Sequence, residues 1–128
     1  MFFVGWAVIK VVSAILGVVM PDLYVYRVAN YRVVDGDTLE VTLDLGFSTF
    51  RKEKVRLARI NAPEMKTELG PVSKGHLSGL LDGKVLTVQT KKDEKDRYGR
   101  YIAEVWVEGV NVSDRMVADS AAVFKDYS

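Results

Sequence analysis

The sequence predicts an α+β domain, mostly β, on three observations. Short runs of alternating apolar and polar residues dominate from Leu23 onward, turn residues bound each run, and only two stretches carry helical spacing. With 128 residues, 48% of them hydrophobic and 27% charged, the chain fits one compact domain. It has no Cys and one His, which excludes a disulfide scaffold and a thiolate zinc site. Any metal bound here is expected to be a hard, oxygen-seeking ion.

Charge divides the chain in two. From Phe2 to Met20 the only charge is Lys10, whereas the remaining 17 basic residues balance 17 acidic ones after Met20. The first domain, residues 1–21, is an apolar segment with four readings: an uncleaved membrane anchor, an atypical signal, a packed helix, or a start-site artefact upstream of Met20. Its Lys costs roughly 2.5 to 3.5 kcal/mol at a bilayer centre, against roughly 0.3 to 0.6 returned by each Phe, Val, Ile or Leu. A membrane is therefore a partner through residues 2–20 on the first reading. The protein is then membrane-anchored or secreted, and it is cytoplasmic if translation starts at Met20. The second domain, residues 22–128, has no net charge, so any affinity for nucleic acid must come from where its charges sit.

The elements follow in order. LYVYRVANYRVV, TLEVTLDL and EKVRLARI read as three consecutive strands. Asp35-Gly36-Asp37 supplies a tight turn or bulge between the first two, and Gly46 to Thr49 turns a hairpin between the second and third. VSKGHLSGLLDG spaces Val72, Leu77, Leu80 and Leu81 helically, with Gly83 suited to a C-terminal cap. KVLTVQT and RYIAEVWVEG alternate as strands, and Asn111 or Ser113 caps a final helix through Val112, Met116 and Val117. The order βββαββα, five short strands with a helix after the third, predicts a five-stranded OB-type barrel whose rim is a common nucleic-acid surface.

Four places carry chemistry-bearing residues, each with a plainer alternative. Asp35 and Asp37 flank Gly36, where a hard cation could sit, although Asp-Gly is also an ordinary turn. Glu64 follows Pro63 at a rigid corner, where a carboxylate can orient or deprotonate a water or simply face solvent. In DEKDRYGRYIAEV, Arg100 opens a strand and can grip two phosphate oxygens or be a solvated strand end. Tyr98 stacks a base or covers its loop. Phe124 and Tyr127 form a stacking platform or close the core, the core role being favoured for Phe124. His76 has no acidic or hydroxyl partner nearby in sequence and reads as a surface residue.

DGDT, RLxxINAPE and DRYGR, in that order, resemble the staphylococcal nuclease (thermonuclease) family over roughly Tyr31 to Tyr127. The resemblance implies a calcium-dependent phosphodiesterase of DNA and RNA that directs in-line attack of water on phosphorus. It implies that Asp37 is a calcium ligand, with Asp35 supporting it and the backbone carbonyl of Ala62 beside it. By the same matching, Arg56 and Arg100 bind the phosphate in its transition state, Glu64 aligns the attacking water, and Tyr98 lies beside the nucleotide. Arg97, Lys66 and Tyr127 are the further nucleic-acid contacts expected. The implied protein is a monomer that prefers single strands and reads little sequence.

The departures carry expectations of their own. Asn61 stands where the family has an acidic calcium ligand, which implies weaker calcium binding or tolerance of other divalent ions. The Glu64 to Gly70 loop is short, with Lys66 as its one base, whereas DLGFSTFRKEK is long and offers Arg51, Lys52 and Lys54 to phosphate. The helix-ending Gly expected near Ser120 is absent. A further C-terminal helix of the family is expected to be missing too, with the apolar first segment folding back over the base of the barrel in its place. Proteins of this fold that only bind nucleic acid usually lose the Arg, Glu and Asp positions kept here, so a binding module is the alternative and a nuclease the primary expectation.

Overall fold

The computed structural model describes residues 23–125, and the readings placed on residues 1–21 and on Tyr127 lie outside them. Three strands, β1 (Val25–Asp35), β2 (Thr38–Asp44) and β3 (Phe50–Leu57), form an antiparallel meander. A short β4 (Ile60–Asn61) leads to helix α1 (Leu69–Leu81), then β5 (Leu86–Lys95), β6 (Tyr101–Val107) and β7 (Val110–Asn111). Helix α2 (Val112–Ala118) and β8 (Val123–Phe124) follow. The sheet runs β3-β2-β1-β5-β6-β7 and closes because β3 also pairs with β6, in parallel, through Val55, Arg56 and Leu57. The expected βββαββα barrel is thus present, with β4, β7 and β8 as two-residue additions. Among the described residues no helix is long and apolar enough to cross a membrane.

Alternation places the core. In β2, Leu39, Val41 and Leu43 point inward, meeting Val55 and Leu57 of β3 and Val88, Ala103 and Val105 of β5 and β6. Helix α1 lays Leu77 and Leu81 over the barrel. Its buried stripe runs Gly70, Ser73, Leu77, Leu81, so the helix begins at Leu69 and Val72, expected in the stripe, is 65% exposed. Pro71 is tolerated there because the first helical turn has no intrahelical use for its missing N–H.

Two ends behave as the residues dictate. Asn111 caps α2, its side chain accepting the Asp114 N–H at 3.0 Å. At the other end the left-handed position that favours Gly is held by Ser120, at φ 60°. The turn survives because Ala121 N–H reaches Met116 O at 2.9 Å and Ser73 Oγ donates to Ala121 O at 2.7 Å.

The third strand stops at Leu57 rather than Ile60, because Arg59 adopts φ 68° and turns the chain. Its guanidinium then clamps three elements, reaching both Glu104 oxygens at 2.7 and 3.0 Å, Asp114 at 2.8 Å and Asn111 at 3.2 Å. The side chain is 44% exposed, so solvent discounts these bonds. Arg59→Ala is expected to cost about 1 to 2 kcal/mol in thermal or urea unfolding. Phe124 departs from its expected core role. It is 60% exposed, since β8 pairs only with Ile60 and Asn61 at the barrel edge and leaves the ring facing outward.

Candidate active site

The site forms at the end of the barrel where β1 turns into β2. The Asp35 carboxylate accepts the Asp37 N–H at 3.1 Å, which fixes the turn that aims Asp37 inward. Gly36 is required by space rather than by an unusual φ: a Cβ there would lie 2.1 Å from Ser73 Oγ and 2.7 Å from the Ala62 Cβ. Gly36→Ala is expected to destabilise the fold by about 1 to 3 kcal/mol, read as a lowered melting temperature.

Asp37 is 6% exposed and fully engaged. One oxygen accepts Ala62 N–H at 2.8 Å and pairs with Arg56 Nη2 at 3.1 Å, and the other accepts Thr38 Oγ1 at 3.2 Å. Burial, with the Asp35 carboxyl alongside, pushes the Asp37 carboxyl up to about 6 against the opposing pull of Ala62 N–H and Arg56. For Asp35, burial pushes upward too, but contacts from Asp37, Thr38 and Arg56 outweigh it and hold this carboxyl below its ordinary range.

Arg56 is 5% exposed, placed by the β2–β3 register that pairs it with Thr38. Its Nη2 also donates to Asn61 Oδ1 at 3.0 Å, so Asn61 faces the same cluster. Arg100 arrives from β6. Its Nε donates to Asp96 at 2.7 Å, and Nη1 donates to Thr38 Oγ1 at 3.0 Å. Asp96 also accepts the N–H groups of Tyr98 and Arg100 at 2.9 and 3.0 Å. Burial acts upward on Asp96, yet these donors hold its carboxyl below the ordinary range. Thr38 therefore links the two arginine clusters, Asp37–Arg56 on one side and Arg100–Asp96 on the other.

Asp35, Asp37, Arg56, Asn61, Ala62 and Arg100 are thus brought together. Glu64 stands at the margin, its side chain 69% exposed and facing Lys66 at 3.2 Å. Its backbone is fixed all the same: Thr67 N–H and Oγ1 both donate to Glu64 O, at 2.9 and 2.6 Å. Tyr98 is 68% exposed, with the Arg97 and Arg100 guanidiniums 5.0 and 5.3 Å from its ring centre. The long connection spends its bases locally, Arg51 on Glu53 and Lys52 on Glu40. His76, read as a surface residue, has its side chain 37% exposed and meets Asp119, distant in sequence, at 2.7 Å across the gap between α1 and α2.

Sequence reasoning assigned no role to Thr38 or Asp96, although both stand inside quoted motifs. The spacing of Asp96, four residues before Arg100 with Gly99 between them at φ 80°, is the signal of a carboxylate closing its own turn.

These features define a class, a small closed barrel with two carboxylates and two anchored arginines at one end. Residues 54–128 match the family described as staphylococcal nuclease homologue, and the chain belongs to that family. It is 37% identical over 99 residues to an uncharacterized endonuclease of Escherichia coli, covering 76% of this chain and 60% of that protein. It is 39% identical over 98 residues to an uncharacterized endonuclease of Haemophilus influenzae, covering 76% and 52%. A prophage-derived endonuclease of Bacillus subtilis matches at 33% over 98 residues, covering 71% and 31%. The chain thus spans 60% or less of the length of each of these relatives.

Proposed function

We propose that this chain hydrolyses phosphodiester bonds of DNA and RNA with the help of a divalent cation, with low sequence preference and a bias toward single strands. The observation that carries the reading is the meeting of Arg56 and Arg100 on either side of Asp37 and Thr38. Two guanidiniums held by carboxylates match a phosphate whose charge grows during attack. Such contacts grip the backbone and not base edges, which accounts for low sequence preference. Exposed Tyr98, flanked by Arg97, offers a face to an unpaired base, and Lys66 and Tyr127 are proposed as further contacts to the strand.

The donor set fits a hard cation. Asp35 and Asp37 supply carboxylate oxygens, and Asn61 Oδ1 and the Ala62 carbonyl supply neutral ones. Among the described residues no group of three or more His, Cys, Asp or Glu stands together, so the set carries two acidic charges. Calcium is the ion proposed, with other divalent ions tolerated. When bound, the cation supplies Lewis-acid polarisation of the phosphate. Arg56 and Arg100 bind the non-bridging oxygens, and Glu64, carried on its fixed corner, holds a water and takes up its proton. Asn61→Asp restores a third charge and is expected to lower the calcium concentration for half-maximal cutting on the order of tenfold.

The test is degradation of denatured DNA by the full chain with calcium, then with magnesium or manganese, then with chelator, beside Asp37→Ala. Metal-dependent cutting that the substitution abolishes supports the reading. Retardation of DNA in a gel with no cutting by any ion would favour the second reading, a nucleic-acid-binding module, to which the neutral Asn61 already points.

A further inference from the structure

The β2–β3 hairpin ends in an apolar surface that neither the core nor the Asp37–Arg56 end of the barrel uses. Leu45 N–H to Thr49 O and Thr49 N–H to Gly46 O, both 2.9 Å, close the turn. Gly46, Phe47 and Ser48 hold φ values of 81°, 54° and 59°, a left-handed run that a bulky residue rarely adopts. It turns Phe47 fully outward, at 101% exposure, beside Phe50 at 56% and Leu45 at 39%. Neither packing nor backbone preference accounts for a Phe at this position.

Strand register fixes what lies next to the tip. Asp44 pairs with Phe50 across β2–β3 and with Arg27 across β1–β2, so the start of β1 stands at the same end of the barrel. Leu23, Tyr24 and Val25, which lead into β1, are exposed apolar residues. Upstream of Pro21 and Asp22, the sequence from Phe2 to Met20 carries Lys10 as its only charge. At the opposite ends of the same strands, Thr38 pairs with both Asp35 and Arg56, about 20 Å away at ~3.4 Å per residue. One end of the meander therefore exposes Leu45, Phe47 and Phe50 among charged neighbours, and the other carries the site's carboxylates and arginines. Exposed Arg27, Arg51, Lys52 and Lys54 stand on the strands behind the tip, with Lys52 meeting Glu40 and Arg51 meeting Glu53.

We infer that the Leu45–Phe50 tip inserts into the surface of a lipid bilayer beside the point where the apolar segment joins the barrel, and that it turns the Asp37–Arg56 end away from the bilayer toward water. Aromatic rings settle at the headgroup boundary, and behind them the exposed Arg27 and Lys54 meet anionic lipid, Arg51 and Lys52 being paired with Glu53 and Glu40. A nucleic acid held at Arg100 is a poorer occupant, because the tip lies at the far end of the strands.

The chain has no Cys, so Ser48→Cys in the full chain takes a single environment-sensitive dye. Lys66→Cys, at a side chain 81% exposed near the site, takes the control dye. On phosphatidylcholine vesicles containing phosphatidylglycerol, the Ser48 dye is expected to shift to the blue and to be shielded from iodide, and the Lys66 dye to do neither. Adding Phe47→Ser and Phe50→Ser should abolish the shift. An aqueous Ser48 dye on vesicles overturns the inference, as does equal shielding at Lys66. A blue shift without vesicles means that the chain or a second copy covers the tip, and a shift on single-stranded DNA alone assigns the tip to nucleic acid; either overturns it. The readouts are optical, so loss of the nuclease reading would leave this result standing.

Discussion

Arg100→Ala is expected to slow cutting of denatured DNA by about a hundredfold or more while leaving the fold nearly as stable as before. The two halves of this expectation have separate causes. A guanidinium aimed at charge that builds on phosphorus acts mainly in the transition state, and losing one such donor costs roughly 2.7 to 4 kcal/mol there. Stability changes little because the groups left behind stay satisfied. Asp96 keeps the N–H groups of Tyr98 and of residue 100, and Thr38 Oγ1 still donates to Asp37. Arg100→Lys should recover little, since one ammonium cannot hold Asp96 and Thr38 as Nε and Nη1 do. Asp96→Asn tests the anchor. It retains a side-chain carbonyl for the turn but weakens the hold on Nε, so its rate is expected to fall between those of the parent and Arg100→Ala. Unchanged cutting by Arg100→Ala would remove this arginine from the reaction.

What was legible in the sequence follows from the range of the interactions. The long strands were legible because alternation is a local signal: TLEVTLD buries every other residue against the core. The Asn111 cap and the Gly83 stop were legible for the same reason. The two-residue strands were not, since Ile60 pairs with Phe124 only after the barrel brings distant segments together. Phe124 was misplaced because an apolar ring suggests a core, and nothing local shows that its strand lies at an edge. The partner of His76, Asp119, was hidden for the same reason, since it comes from the end of another helix 43 residues on. The site divides along this line too. Asp37, Arg56 and Arg100 stand in motifs that a sequence shows, but their joining through Thr38 depends on the register that sets Thr38 opposite Arg56. The motif also hid the reason for Gly36, which is the nearness of Ser73 and Ala62 and not the sharpness of a turn.

Arg56→Ala should be among the most damaging single changes to the fold. The side chains of the ion pair are 7% and 9% exposed, so removing the guanidinium strands a carboxylate out of reach of bulk water. Breaking a buried pair on one side costs about 3 to 5 kcal/mol, a large part of the roughly 5 to 15 that holds a domain folded. In a domain of this size that lowers the melting temperature on the order of 10 to 20 °C. The remaining donors, Ala62 N–H and Thr38 Oγ1, soften the loss, and the carboxyl, which burial already pushes up against the pull of Arg56, can take up a proton. Asp37→Ala is a comparable lesion, because the buried guanidinium keeps its charge and is left with only the neutral acceptors Asn61 Oδ1 and Leu57 O. Combining the two removes both charges, so the double variant is expected to be markedly more stable than the sum of the single losses predicts. Urea unfolding of the four proteins measures this coupling directly. If the losses add to within about 0.5 kcal/mol, the pair is not coupled and this end of the barrel is held by backbone pairing alone. If they do not, the charge pair that fixes Arg56 also holds β3 to the turn between β1 and β2, and the proposed catalysis and the stability of this site cannot be tuned apart.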